Sequence, residues 1–166
     1  GQMEIVFGNS SGKLYIVNHD GSQQLAYSIL GFIEGSPALV DIDGDQDLEI
    51  IFNTTTTSGG KLCAIHHNGI TMSGFPKELG SMWTGPAVHD IDNDGAFDIV
   101  CTTYDKEIYA IEVNGGAIKP GFPFATSGRF SISPTVVDVD SDGDYEIAVG
   151  SNDGELYILH HDGTIF

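Results

Sequence analysis

Three short acidic segments dominate the side-chain chemistry of this chain. They begin at Asp41, Asp90 and Asp138, which lie 49 and then 48 positions apart. Each segment spans nine residues and carries carboxylates at its first, third, fifth and ninth positions. Such a density of negative charge needs a cation, and a hard divalent ion that takes roughly six to eight oxygen ligands fits it best. The spacing therefore predicts three calcium-binding loops.

The loops sit inside a longer repeat that indicates the architecture. In each unit one apolar run precedes the loop, a second follows it, and a third ends at Asn-Gly or Asp-Gly, a strong hairpin signal. Four short strands per unit of about 48 residues predict an all-β fold, a β-propeller of four-stranded antiparallel blades. The runs are continuously apolar, as expected for strands buried on both faces. A β-sandwich is the alternative, but it gives no reason for so regular a repeat.

The chain divides into four units within a single partial propeller. Residues 1–35 form an incomplete unit without an inner strand, residues 36–84 and 85–132 form whole units, and residues 133–166 form a unit without its outer strand. About three and a half blades are therefore expected, whereas propellers close with roughly four to eight. We expect the chain to belong to a longer propeller, or to self-associate through its exposed blade edges.

Composition excludes two classes of partner. The formal net charge is −18, Asp and Glu account for 24 residues, and Arg129 is the only arginine. Without a basic stripe, binding to nucleic acid or to an anionic membrane surface is not expected. No apolar run approaches the length of a membrane span, so membrane insertion is not expected either.

The order of short motifs resembles FG-GAP repeats, the blades of integrin α-subunit propellers and of secreted bacterial VCBS-type proteins. Phe7-Gly8 is followed by Gly-Ser-Pro-Ala at residues 35–38 or Gly-Pro-Ala at residues 85–87, and then by the Asp-rich loop. Gly-Phe-Pro at residues 74–76 and 121–123 is similar to the bacterial version. The resemblance covers essentially the whole chain.

The resemblance implies which atoms hold calcium. In that family the loop joins the first and second strands of a blade, and the ion is bound by side chains at positions 1, 3, 5 and 9 and by the carbonyl of position 7. Ala96 stands at position 7 of the second loop, where only a carbonyl can serve. The implied ligands are Asp41, Asp43, Asp45, Asp47 (carbonyl) and Glu49; Asp90, Asp92, Asp94, Ala96 (carbonyl) and Asp98; and Asp138, Asp140, Asp142, Asp144 (carbonyl) and Glu146.

Two departures from the family pattern matter. Gln46 replaces the usual glycine at position 6, where a sharp turn favours positive φ, so the first loop is expected to be strained or weaker. The N-terminal unit keeps only Glu4 as a counterpart of the ninth ligand, and no metal is assigned to it.

Histidines and cysteines are secondary candidates. The pairs His66-His67 and His160-His161 occupy matching positions beside the hairpin turn. Adjacent strand residues face opposite ways, so a role in the turn is favoured over metal binding. Cys63 and Cys101 lie in apolar runs and are expected to be buried free thiols, with a disulfide as the alternative.

The turns between second and third strands vary most among the units. In a propeller they lie opposite the acidic loops, where variable loops commonly carry recognition. The unit with three extra residues has a threonine run at residues 54–57 in this turn. Trp83 and Phe130 precede inner strands and are candidates for the central channel or for the core.

The function that follows is a non-catalytic, calcium-stabilised propeller for extracellular adhesion or for recognition of a protein or glycan. Exposed modules of this kind bind calcium with affinities of roughly 10⁻⁴–10⁻³ M, which fills them outside the cell only. The alternative is a fragment of a propeller enzyme such as a polysaccharide lyase. The sequence supplies no nucleophile–base pair, because the acidic residues are accounted for by the loops.

Overall fold

The computed structural model describes residues 4–166, and the regular structure among them consists of fourteen β-strands without a helix. No helix in this part of the chain could therefore span a membrane. The first sheet contains β1 (Ile5–Gly8), β2 (Lys13–Val17) and β3 (Gln23–Ser28). The second contains β4 (Ala38–Val40), β5 (Glu49–Thr56), β6 (Gly59–Ile65) and β7 (Lys77–Leu79). The third contains β8 (Ala87–His89), β9 (Asp98–Thr102), β10 (Glu107–Glu112) and β11 (Phe124–Ala125), and the fourth β12 (Thr135–Val137), β13 (Glu146–Gly150) and β14 (Leu156–Leu159).

Each sheet is an antiparallel meander whose strand order follows the chain. The second, third and fourth sheets meet through their first strands, since β4 contacts β8 and β8 contacts β12. Two four-stranded sheets lie between two three-stranded ones, which confirms the predicted all-β architecture of about three and a half blades. In an antiparallel meander, the connections after the first and third strands lie at one end of the sheet, and the connection after the second strand lies at the other.

The hydrophobic core lies in layers between neighbouring sheets. Along β5, Ile50 and Phe52 pack toward the first sheet, whereas Ile51 packs toward the third. Along β9, Ile99 packs back toward the second sheet, and Val100 packs toward the fourth. Successive side chains of a strand point to opposite faces, so both faces of these strands are buried. This is the reason why the sequence shows continuous apolar runs instead of alternation.

The Gly-Phe-Pro segments lock one sheet to the turn of the next. A Cβ added to Gly74 would lie 2.2 Å from the carbonyl oxygen of Gly115, in the hairpin turn of the third sheet. At Gly121 the same atom would lie 1.9 Å from the carbonyl oxygen of Asp162 in the fourth. Only glycine permits this approach, which explains its place in the motif.

The threonine run at residues 54–57 is mostly strand, contrary to the turn expected there. β5 continues through Thr56, and only Thr57 and Ser58 remain between β5 and β6. The extension is buried because Asn53 donates a hydrogen bond to the Thr84 carbonyl, and Thr55 donates one to the Met82 carbonyl. Its backbone pairs with β6, and Thr55 also pairs with Phe32. Segments distant in the sequence therefore supply partners for this extension.

Both cysteines are free and buried, as expected. Cys63 lies in the layer between the first and second sheets, and Cys101 lies in the layer between the second and third. Burial raises the pKa of each thiol to about 12. These thiols therefore behave as small core residues.

Candidate metal centres

The three acidic loops occupy the same place in successive sheets. Each begins directly after a first strand, at Asp41, Asp90 or Asp138, and its ninth residue is the first residue of the second strand. The loop is thus a hairpin connection between the two strands nearest the inner edge, as the family resemblance implies. The short first strand and the longer second strand hold its two ends in hydrogen-bonding register.

The first aspartate shapes each loop from inside. Asp41 accepts hydrogen bonds from the backbone N–H groups of Gly44, at 2.7 Å, and Gln46, at 3.1 Å. Asp138 accepts the equivalent pair from Ser141 and Gly143, at positions 4 and 6 of its loop. Asp90 accepts its pair from positions 5 and 6, the N–H groups of Asp94 and Gly95. The aspartate at position 5 accepts one from the N–H of position 7 in all three loops. These bonds curl the backbone so that the carboxylates face a common centre.

The ninth carboxylate is buried in every loop. Glu49, Asp98 and Glu146 expose at most 1% of their surface. One oxygen of each accepts a hydrogen bond from the backbone N–H at position 2 of its own loop, at 2.9, 3.3 and 2.9 Å respectively. A buried carboxylate is stable only when it is paired with a cation or fully hydrogen-bonded. A positive charge at the start of the second strand would therefore stabilise this buried carboxylate.

Carboxylate oxygens converge in each loop. The groups whose ligand atoms lie within 4.8 Å of one another include Asp41, Asp43 and Asp45 in the first loop and Asp90, Asp92 and Asp94 in the second. In the third loop the group is Asp138, Asp140 and Glu146. The ninth carboxylate also joins a group in the first loop, where Glu49 meets Asp43 and His66. Of the predicted side-chain ligands, Asp98 and Asp142 lie outside these groups.

The turn geometry matches the expectation at position 6. Gln46 has φ of 76°, and the glycines at this position in the other loops have φ of 91° and 100°. Position 4 is also left-handed, and there Gly44 is replaced in the other loops by Asn93 and Ser141, with φ of 56° and 65°. A left-handed conformation costs a residue with a Cβ roughly 1–2 kcal/mol. Gln46 is thus a strained residue within the first loop.

Histidines line the first and third loops. His66 Nδ1 lies 3.1 Å from Glu49 Oε1, and His67 Nδ1 lies 3.5 Å from Asp47 Oδ2. The pair His160-His161 repeats this arrangement beside Glu146 and Asp144, at 3.3 and 3.4 Å. The two imidazoles of a pair contact different carboxylates of the same loop, which sequence spacing alone could not show. Only the His66 contact is aligned as a hydrogen bond.

The second loop has a different partner. The ammonium of Lys119, a residue only 6% exposed, donates hydrogen bonds to Asp92 Oδ2 at 2.7 Å and to Asp98 Oδ2 at 3.1 Å. Burial raises the pKa of Asp98 to about 6, although the hydrogen bond and charge of Lys119 oppose this. Burial also favours a higher pKa for Asp92, but the hydrogen bond and charge of Lys119 outweigh burial there, so the pKa of Asp92 is lowered. Burial disfavours the charged ammonium, yet the two carboxylates outweigh it and raise the pKa of Lys119.

Lys119 is the site residue that sequence reasoning missed. Its side chain reaches the loop from the segment between β10 and β11, so it is 27 residues away from Asp92. The only signal available was its register within the repeat, three residues before the proline-containing Phe122-Pro123 step. His89, which directly precedes the same loop, is half-buried, and its Nδ1 lies 2.9 Å from the Asp90 carbonyl oxygen.

A second feature lies at the end of the sheets opposite the acidic loops. Trp83 precedes the first strand of the third sheet and is 48% exposed, with its ring centre 6.2 Å from that of Tyr104 in the β9–β10 turn. The guanidinium carbon of Arg129 lies 4.0 Å from the centre of the Tyr104 ring, and Nη1 donates to the Tyr104 hydroxyl at 2.8 Å. Phe130, the other candidate of this kind, is buried in the core. The exposed surface formed by Trp83, Tyr104 and Arg129 is called the aromatic surface below.

Comparison with known proteins identifies one repeat and the fold. Residues 90–149, which include the second and third loops, match the FG-GAP-like repeat family. A search of curated protein sequences found no match.

Three solved structures share the fold. BamB from Moraxella catarrhalis superposes with a TM-score of 0.71 at 20% identity, over 98% of this chain and 44% of that one. The V. cholerae biofilm matrix protein Bap1 gives 0.71 at 19% identity, over 99% of this chain and 25% of that one. The C-terminal domain of Pseudomonas aeruginosa PilY1 gives 0.68 at 21% identity, over 93% and 37%. The chain therefore spans less than half the length of each.

Proposed function

This chain is a partial β-propeller that carries an FG-GAP-like repeat, and we propose that it serves as a calcium-stabilised extracellular module for adhesion or for recognition of a protein or glycan. One observation carries the calcium part of the proposal. In the third loop the Glu146 carboxylate is fully buried and groups with the carboxylates of Asp138 and Asp140. Its Oε1 lies 3.3 Å from His160 Nδ1 but makes no hydrogen bond within residues 4–166. An unpartnered buried carboxylate oxygen beside two others is what a bound cation would satisfy.

The donor set in the first and third loops fits calcium. Carboxylate and carbonyl oxygens are hard ligands, and the loop offers several of them on a flexible backbone, which suits calcium better than magnesium. The first ion would be held by the carboxylates of Asp41, Asp43, Asp45 and Glu49 with the carbonyl of Asp47. The third would be held by Asp138, Asp140, Asp142 and Glu146 with the carbonyl of Asp144. When bound, the ion neutralises the clustered carboxylates and stabilises the hairpin between first and second strands, because binding energy absent from the unfolded chain becomes folding energy.

Calcium titration by calorimetry tests this part directly. The variants Asp43→Asn and Asp140→Asn each remove one charge from a loop, and each is expected to weaken binding at that loop by at least tenfold. Asp20→Asn is the matched control, because Asp20 sits in an exposed turn and accepts hydrogen bonds only from Ser22. Unchanged binding in both loop variants would contradict the ligand assignment.

The extracellular placement rests on the expected affinity. Modules with exposed calcium loops of this sort bind with dissociation constants of roughly 10⁻⁴–10⁻³ M, so they are filled outside the cell and empty in the cytosol. The strongly acidic composition and the structural likeness to a biofilm matrix protein support the same placement. The proposal assigns no catalytic role, since the clustered acids of the loops serve as metal ligands.

The aromatic surface supports the recognition part. Trp, Tyr and Arg are the residues enriched at binding hot spots, and here the three are brought together from two inter-sheet links and one turn. Arg129 is the only arginine of the chain, and it is held against Tyr104 by both stacking and a hydrogen bond. These contacts fix the Arg129 guanidinium near the exposed indole ring of Trp83. Such a surface suits a ligand with flat apolar faces and polar edges, as in a glycan or the side chains of a protein loop.

The single tryptophan provides a direct readout for that surface. We expect the fluorescence of Trp83 to change on titration with a polysaccharide, for which alginate and dextran serve as acidic and neutral probes. The variant Tyr104→Ala, which also frees Arg129, is expected to abolish the change. No fluorescence response to either polysaccharide would contradict the glycan assignment and leave a protein as the partner of the surface.

A further inference from the structure

The Lys119 ammonium lies against the carboxylates of the second loop. It lies within hydrogen-bonding distance of two predicted calcium ligands, the third and ninth residues Asp92 and Asp98. The lysine exposes 6% of its surface and Asp98 exposes 1%, so the contact with Asp98 is a buried ion pair. A calcium ion bound to the same two carboxylates would be adjacent to a fixed positive charge.

The repeat shows what stands at the position of Lys119 in the other units. The backbone N–H of Lys119 donates to the Ala110 carbonyl at 2.9 Å. Met72 and Phe166 make the same bond, at 2.9 Å, to the carbonyls of Ala64 and Ile158 on the third strands of their sheets. The three residues are therefore equivalent, and only the second loop has a cation there.

Two further differences accompany the lysine in the unit of residues 85–132, which contains the second loop. The residue that corresponds to His66 and His160 is Glu112, as shown by the equivalent backbone hydrogen bonds to the hairpin turns. The ninth ligand is Asp98, which is one methylene shorter than the glutamate at the same position in the other two loops. Consistent with this, Glu49 and Glu146 each join a compact group with loop aspartates, whereas Asp98 does not. The ninth acid of the second loop is thus shorter, and its partner is the Lys119 ammonium, whereas an imidazole contacts the ninth acid in the other two loops.

We propose that Lys119 is an internal cation that takes the place of calcium in the second loop, so that the chain binds two calcium ions, at the first and third loops. The sequence pattern predicts calcium at all three. The predicted number of calcium ions rests on the proposed calcium function. The structural role of Lys119 in the second loop is independent of that function. The second loop, residues 90–98, would stay folded when calcium is absent, with a calcium-dependent loop in the unit on either side of it.

Calcium stoichiometry measured by native mass spectrometry tests the proposal with a reciprocal pair of variants. The wild-type chain is expected to bind two ions. Lys119→Met installs the residue type of Met72, which stands at the equivalent place beside the first loop, and is expected to raise the number to three. Met72→Lys transfers the ammonium to the first loop and is expected to lower the number to one. Three ions in the wild type, unchanged by Lys119→Met, would overturn the proposal.

Hydrogen exchange in excess chelator provides a readout that does not depend on calcium. The amides of residues 90–98 are expected to exchange at least tenfold more slowly than those of residues 41–49 and 138–146, and Lys119→Met is expected to abolish the difference. Equal exchange in the three wild-type loops would overturn the role of Lys119. A chain that binds no calcium, yet shows selective protection of the second loop, would refute the calcium function and support the internal cation.

Discussion

Gln46 offers a quantitative test of the loop geometry. It occupies a left-handed position, with φ of 76°, where the other two loops have glycine. Relieving that conformation in Gln46→Gly gains roughly 1–2 kcal/mol, while the extra freedom of glycine in the unfolded chain costs roughly 0.4–1 kcal/mol. Gln46 is exposed, and none of the hydrogen bonds within residues 4–166 involves its side chain, so nothing else is lost. The net expectation is a gain of about 0.5–1 kcal/mol in the free energy of unfolding.

Urea unfolding in excess chelator measures that gain without a contribution from calcium. The reciprocal variant Gly95→Gln, at φ of 91° in the second loop, is expected to lose stability by a similar amount or more. For a chain of this size the change in Gln46→Gly corresponds to a rise of about 1–4 °C in the unfolding midpoint. A clear loss of stability in Gln46→Gly, or no loss in Gly95→Gln, would show that the left-handed geometry does not strain the first loop.

Two further predictions concern the layers between sheets. Burial raises the pKa of Cys63 and Cys101 to about 12. Alkylation by iodoacetamide at pH 8 is therefore expected to be about a thousandfold slower in the folded chain than in urea. Equal alkylation rates would contradict the burial of the two thiols. Gly121→Ala places a Cβ against the Asp162 carbonyl and is expected to cost about 2 kcal/mol or more in chemical unfolding, whereas Gly154→Ala, with open space around the added atom, is expected to cost only about 1 kcal/mol. Equal costs for the two alanine variants would argue against a close approach at Gly121.

Much of the fold could be predicted because the same sequence pattern recurs in several units. The acidic loops, the apolar runs and the hairpin glycines recur in register, so each unit supports the assignment of the others. The continuous apolar runs also predicted burial of both strand faces, and Ile50 and Ile51 do pack into different layers. The turn prediction for the threonine run was wrong, because the partners of the strand extension include Phe32, Met82 and Thr84, which local propensity does not reveal.

The candidate sites were predictable in position but not in their partners. The spacing located the carboxylates of each site, because they all lie within one nine-residue loop. It could not show that Lys119 reaches the second loop, since that contact joins residues 27 positions apart through the return of the chain along the sheet. The aromatic surface was hidden for a similar reason: Trp83, Tyr104 and Arg129 come from three separate connections and meet only when the sheets stack.

The central claim is that calcium stabilises this fold through the acidic loops, and thermal unfolding tests it most directly. With dissociation constants of roughly 10⁻⁴–10⁻³ M, 10 mM calcium stabilises the chain by about 1.4–2.7 kcal/mol per filled loop. Two filled loops are expected to raise the unfolding midpoint by about 5–20 °C relative to excess chelator. The rise is expected to shrink by about half in Glu146→Gln and to be absent with magnesium at the same concentration. A midpoint that calcium leaves unchanged, or one that Glu146→Gln shifts equally with and without calcium, would contradict the account.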